Sequence, residues 1–248
     1  MPATSRRWKR ASWFAIALTA GGVLLFVRLG EWQLDRARGA QELLDAFGAA
    51  QHAPFEYFSA VAAAPPAARF PHVRVSGRFI AGRGYLRDEQ VRDGKVGVEA
   101  IDAFAVDDGG AALLLVDRGW VAWTRSAGAG PALPALPDGE ISLAGVYAPF
   151  PGSGMQVGGN ALAAQKTWPK LTLALDPAAI SADLDRPVQP RLLLLDPDVA
   201  SGFVRTWTPA VMPPARHQAY AFQWFAFALA SLILFVALHW KKVENRAS

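Results

Sequence analysis

Cysteine is absent from the 248 residues, which excludes thiol nucleophiles and any Cys-based metal site, including copper delivery through a Cys-x-x-x-Cys pair. A domain of some 190 residues, about the length left between the two apolar ends, does not need disulfides even outside the cytoplasm. Enzyme signatures are missing too: Gly-x-Ser-x-Gly, His-Glu-x-x-His and Gly-x-Gly-x-x-Gly after a strand do not occur. The chain is not read as an enzyme. Charge is thin at 19%, and histidine is limited to His52, His72, His217 and His239. The net charge of +4 is no nucleic-acid footprint, because Arg6, Arg7, Lys9 and Arg10 alone carry as much. From Arg28 to Arg216 there are 18 basic and 20 acidic residues.

What is present is apolar length at both ends. Ala219 to Leu238 is uncharged for 20 residues, and at about 1.5 Å per residue it crosses a hydrocarbon core of roughly 30 Å. Ala11 to Val27 is uncharged for 17, followed by RLGEWQ rather than a small-x-small cleavage site, so it reads as a retained anchor helped by Arg28 at the interface. The twin arginines before it fit that anchor better than an export signal. Gly21 and Gly22 are expected to let the second span approach. Basic residues hug both membrane ends, so the positive-inside rule puts both termini in the cytoplasm and the middle outside it.

The expected organisation is a basic N-terminus (1–10), a first span (11–27) and an amphipathic juxtamembrane helix (28–48). An irregular linker (49–71), a β-rich domain (72–214), a second span (215–240) and a basic tail (241–248) follow. From residue 72 the apolar period is two. HVRVSGRF (72–79), Tyr85–Arg87, Gly97–Val106, Leu113–Trp123, Glu140–Ala148, Leu171–Leu175 and Arg191–Leu195 read as strands, with Asp93-Gly94 and Asp107–Gly110 as turns. Residues 126–137 read as a loop, and 149–160 as a mobile glycine-rich one without the Gly-Lys-Ser/Thr of a phosphate loop. Asp176 to Asp185 has an N-cap Asp and Pro177 at the first helical position. The fold class is thus a membrane protein of α+β type: two transmembrane helices flank a mostly antiparallel β domain, a curved sheet or small barrel.

Carboxylates scattered along the strands read as a solvated sheet face. His52 and His72 read as surface residues beside the linker, and His239 as an interface anchor. His217 stands at the mouth of the second span. His217, Ala221, Trp224 and Ala228 fall on one helical stripe, with Tyr220 beside it. A neutral imidazole there can ligate haem iron, with the alanines leaving room for a flat ring, Trp224 a stacking plate, and Arg216 or Arg28 near the propionates. The alternative is an aromatic belt whose alanines pack on the first span.

Several stretches then line up in series: LGEWQLDR (29–36), VSGRF (75–79), LRD (86–88), LLVDRGWV (114–121), Asn160, Trp168 and HQAYAFQWF (217–225). With them the chain resembles the surfeit locus protein one family, assembly factors of haem-copper cytochrome c oxidase, over nearly its full length. Ala215 departs from the polar residue that many relatives carry before the histidine. The resemblance, to a bacterial member, implies an inner-membrane protein with a periplasmic domain that binds haem a transiently. It also implies help in placing haem a in subunit I, with haem a synthase as a second candidate partner. It makes His217 the proposed iron ligand, with Tyr220 and Trp224 as companions, and no other metal site. A scaffold that holds oxidase subunits without touching haem is the alternative. Asp117, Arg118, Gly119 and Trp120 are expected to keep a strand end in shape.

Overall fold

The computed structural model describes residues 4–8, 10–62, 70–107, 110–124, 130–151, 162–209 and 211–244, with backbone alone for 4–8 and 241–244. It divides into two compact units, Met1–Glu42 with Val211–Ser248, and Leu43–Ala210. Asn160 and most of the glycine-rich stretch 149–160 lie outside the described residues.

In the first unit, β1 (Thr4–Trp8) is followed by α1 (Trp13–Ala50), whose residues up to Glu42 belong here. The span and the juxtamembrane segment are therefore one unbroken helix, because nothing between Val27 and Gly48 stops it: there is no proline and no capping glycine motif. Alongside it runs a second long helix near the other end of the chain, whose label follows in chain order below. Both helices are long and apolar enough to cross a membrane, with mean hydropathy 1.8 and 2.2, yet only 6% and 11% of their apolar windows are buried. Phe14, Leu18, Leu24 and Leu25 on α1 point outward. Such surfaces need a lipid surrounding, as in a membrane protein.

The second unit begins with the last turns of α1. Then come β2 (Glu56–Tyr57), the single turn α2 (Phe58–Val61), β3 (His72–Arg92), β4 (Lys95–Val106), β5 (Leu113–Ala122) and β6 (Ile141–Pro149). It is completed by β7 (Lys170–Thr172), α3 (Pro177–Leu184) and β8 (Val188–Leu195). The first unit resumes with α4 (Pro214–His239) and β9 (Trp240–Glu244). There β1 and β9 pair antiparallel, so the two chain ends meet at one end of the helix pair.

The sheet closes on itself. In order, β3, β4, β5, β8 and β6 are hydrogen-bonded neighbours, and β6 pairs back onto β3 from His72↔Val146 to Gly77↔Ile141. Every contact around this ring is antiparallel except β5 with β8. The barrel reading holds, with two revisions. HVRVSGRF and Tyr85–Arg87 are one strand, β3, which bends at a register shift between Phe79 and Gly84. The 49–71 linker is not wholly irregular, since β2 and α2 lie in it.

One cluster draws on all five ring strands and fills the barrel: Val73, Val75, Phe104, Leu114, Val116, Tyr147, Leu193 and Leu195. Phe58 and Val61 of α2 join it, Phe58 edge-on to Tyr147 with centroids 5.3 Å apart. The outer face of β4 and β5, with Ile101, Leu113 and Leu115, is covered by Ile180 of α3 together with Leu162 and Leu175. Local signals hold well. Asp176 accepts from the Ala178 N–H and caps α3, and Asp93 and Gly94, both at positive φ, turn the β3–β4 hairpin.

Candidate functional site

The first unit places the proposed ligand. On α1 the residues Phe26, Gly30, Gln33 and Ala37 are spaced four, three and four, and α4 repeats that spacing in His217, Ala221, Trp224 and Ala228. The two stripes face each other. The Phe26 ring stacks on Trp224 at 5.9 Å with a 21° interplanar angle, and Trp224 meets the Phe227 ring edge-on. Gly30 marks the close approach: a Cβ there would lie 2.6 Å from the Phe225 ring. Gly21 and Gly22, expected to make it, have nothing within 4 Å of an added Cβ. Ala221 and Ala228 are buried. They belong to the seam and leave no slot for a flat group beside them.

His217 lies at one flank of this seam, half-buried, its Nδ1 2.8 Å from Gln33 Oε1. Among the described residues its Nε2 has no hydrogen-bond partner. Tyr220 is exposed on the same flank by its three-residue spacing. Trp224 is not a free stacking plate, because Phe26 already occupies one of its faces. Arg28 pairs with Glu31 at 3.0 Å, both side chains exposed. A cavity of about 260 Å³ between the helices is lined by Leu34, Ala37, Arg38, Gln41, Pro214 and Gln218. His217 and Tyr220 are not among its lining residues.

The donor set can be tested against haem on these facts. Haem iron takes the lone pair of a neutral imidazole nitrogen and needs apolar surface around the ring. A half-buried histidine whose Nε2 has no hydrogen-bond partner among the described residues supplies the first, and the exposed Phe222 and Phe225 further along α4 offer apolar surface.

The second unit gathers the other motifs. Arg87 and Arg92 both pair with Glu99, Arg87 Nε at 2.9 Å and Arg92 Nη2 at 2.6 Å. Glu99 is only 3% exposed. Asp117, wholly buried, lies by the same group, and its Oδ1 accepts from the Gly119 N–H at 3.1 Å. Burial, and then the neighbouring Glu99 charge, push the Asp117 carboxyl well above the usual carboxylate range.

A register shift opposite Ala100 and Ile101 leaves Arg118 as the extra residue of β5. Arg118 donates to Asp102 at 3.2 Å and to the carbonyls of Pro134 and Ala135, each at 2.8 Å. Burial raises the Asp102 carboxyl, and Arg118 partly offsets this. Gly119, at φ 127°, brings the backbone against Phe203, where a Cβ would lie 2.6 Å from the Phe203 Cβ. Trp120 Nε1 donates to the Gln90 carbonyl, and Arg205 Nε donates to the Arg118 carbonyl.

The carboxylates of Glu99, Asp102 and Asp117 are thus not on a solvated face, because other parts of the chain cover the sheet there. His72 is likewise no surface residue. It is 6% exposed, with Nδ1 2.8 Å from the Ala53 carbonyl and Nε2 3.0 Å from the Asp196 carboxylate. His52 is exposed. Asp117, Arg118, Gly119 and Trp120 hold a strand end, bulge and loop in place, as expected of them. Among the described residues, no group of three or more His, Asp or Glu side chains is arranged to hold a metal ion.

Gln33 is the residue that sequence reasoning passed over. It lies within LGEWQLDR, among the motif residues. The signal was the matching four-three-four spacing of the two stripes.

Comparison with known families then decides the relationship, since the SURF1 family model matches residues 21–229. The chain belongs to the SURF1 family. Members of this family are cytochrome oxidase assembly factors, which is an assembly role and not an enzyme activity. The match takes in the α1 stripe, the whole barrel and the α4 stripe as far as Ala228. No curated protein matches the sequence.

Proposed function

We propose that this protein is an inner-membrane assembly factor that carries haem a transiently and supports its insertion into subunit I of cytochrome c oxidase. The observation that carries the reading is the unengaged Nε2 of His217 on the flank of a lipid-exposed helix pair, in a chain of an oxidase assembly family. In this reading the cargo is held on the outer flank, and one axial bond from His217 is the attachment. A single neutral imidazole bond suits a carrier, because it can be exchanged for a ligand of the receiving subunit. Tyr220 lies beside it. Trp224 supports the site from behind, through its stack on Phe26. Arg36, one turn beyond Gln33 and without an ion-pair partner among the described residues, is the cation for the carboxylate edge of the cargo.

Both termini lie in the cytoplasm on the positive-inside rule, and pairing of β1 with β9 fits two ends on one side. The barrel is then periplasmic. In this reading the barrel is the part that holds partner protein, subunit I first and haem a synthase as a second candidate.

The test is an absorption spectrum of the detergent-purified protein co-expressed with haem a biosynthesis, beside the His217→Ala variant. A Soret band near one haem per chain, lost in the variant at unchanged expression, is the expected result. A colourless wild type that still co-purifies with oxidase subunits would replace the carrier by a scaffold.

A further inference from the structure

We infer that Gln33 is a positioning residue, whose side-chain carbonyl fixes the tautomer and ring direction of His217 so that Nε2 is the atom offered to the cargo. This rests on the reading of His217 as the haem ligand.

The argument starts from hydrogen-bond chemistry. A neutral imidazole has one N–H and one bare nitrogen, and whichever nitrogen faces an acceptor must carry the proton. His217 Nδ1 faces Gln33 Oε1 at 2.8 Å, and a carbonyl oxygen can only accept. With the amide oxygen turned to the ring as it is here, the proton is on Nδ1 and the lone pair is on Nε2. Without that acceptor the ring samples both tautomers and rotates about its side-chain bonds, and part of the population offers an N–H that cannot bind iron. Second partners of this kind set the orientation and basicity of metal-bound histidines elsewhere.

The contact does not form by chance of side-chain reach. Gln33 is one turn from Gly30, whose missing side chain lets the Phe225 ring close on α1, and two turns from Phe26, which stacks on Trp224. These contacts fix both the separation and the register of α1 against α4, and so the distance from Gln33 to His217. The partners are 184 residues apart in sequence, so only the paired helices can bring them together. The amide also suits the task better than a carboxylate: it accepts the Nδ1–H hydrogen bond without adding a charge beside an apolar cargo.

The experiment uses full-length protein purified in detergent without haem, as wild type, Gln33→Leu, Gln33→Glu and His217→Ala. Circular dichroism establishes that each variant keeps its helix and strand content. Nitrogen-15 NMR of histidine-labelled apoprotein at alkaline pH then reads the His217 tautomer with no haem present. Ferric haem is titrated into each variant, and the midpoint potential of the complex is measured. The wild type should show a single Nδ1–H tautomer, and Gln33→Leu a mixture, with haem bound about 10- to 100-fold more weakly. Gln33→Glu should restore the Nδ1–H tautomer and most of the affinity. Its complex should have a lower midpoint potential, because a carboxylate makes the imidazole a stronger donor. An Nδ1–H tautomer and haem affinity unchanged in Gln33→Leu would overturn the inference. Haem binding that survives in His217→Ala would instead defeat the ligand reading, while the tautomer still decides what Gln33 does.

Discussion

In the helix pair, apolar side chains face outward: Phe14, Leu18 and Leu24 of α1 and Phe222, Leu229 and Ile233 of α4 are all exposed. In the barrel unit, charged side chains are buried. Glu99, Asp117 and Arg118 are each less than a tenth exposed and are held by hydrogen bonds and ion pairs. The two units invert the usual rule in opposite directions, for one reason: each side chain follows the medium that surrounds its element. Lipid accepts the outward leucines of a span. Both faces of the closed sheet are covered in its middle, so a charge there survives only with partners. In the helix pair, the His217–Gln33 hydrogen bond joins side chains of the two helices, and it is where chemistry is expected. In the barrel, polar contacts of the same kind are the norm and do structural duty.

Breaking the barrel should give the largest effect. Arg118→Met removes one partner of a buried pair and leaves Asp102 and the Pro134 and Ala135 carbonyls without their donor. Equilibrium unfolding should show a loss of about 3–5 kcal/mol, while the haem content of the remaining folded protein is unchanged. Loss of haem from well-folded Arg118→Met would mean that the division of labour between the units is wrong. A smaller effect is expected in the helix seam. Gly30→Leu places a side chain where the Phe225 ring lies, and overpacking of this kind costs about 1–3 kcal/mol. It should weaken haem binding by shifting Gln33 off His217, with the unfolding of the barrel untouched.

The smallest expected effect concerns Asp117, and it depends on pH. Its carboxyl holds its proton to higher pH in the folded barrel than in the unfolded chain, whose value is about 3.9. The folded state thus binds more protons in that window, and stability falls as pH rises from the unfolded value through the raised folded one. Asp117→Asn keeps an oxygen for the Gly119 N–H and removes the charge. It should match the wild type near pH 4 and be the more stable protein at pH 8. Parallel stability curves for the two would show that Asp117 carries no buried-charge penalty.

Local features were legible in the sequence because they are built from adjacent residues. The two apolar spans, the Asp93-Gly94 hairpin and α3 with its Asp176 cap all stand in the fold. What failed to show was set by distant partners. Closure of β6 onto β3 and the parallel pairing of β5 with β8 carry no local signature, and without closure the strand carboxylates looked solvated. His72 looked like a linker residue because its partners, Ala53 and Asp196, lie 19 and 124 residues away. At the candidate site, helical spacing singled out His217, Tyr220 and Trp224. Packing of the alanines on the first span was one of the two readings it left open, and it did not say that Trp224 would stack on Phe26 or that Gln33 would meet the imidazole. An amphipathic stripe gives a face, and only the second helix says what the face touches.

The most direct test of the central claim is chemical rescue of a His217→Gly variant. The detergent-purified variant would be titrated with ferric haem in the absence and presence of imidazole, with the Soret band recorded. The account predicts no tight binding without imidazole, and recovery of a wild-type-like spectrum when free imidazole takes the place of the missing side chain. A variant that binds haem as the wild type does, with no response to imidazole, would contradict it.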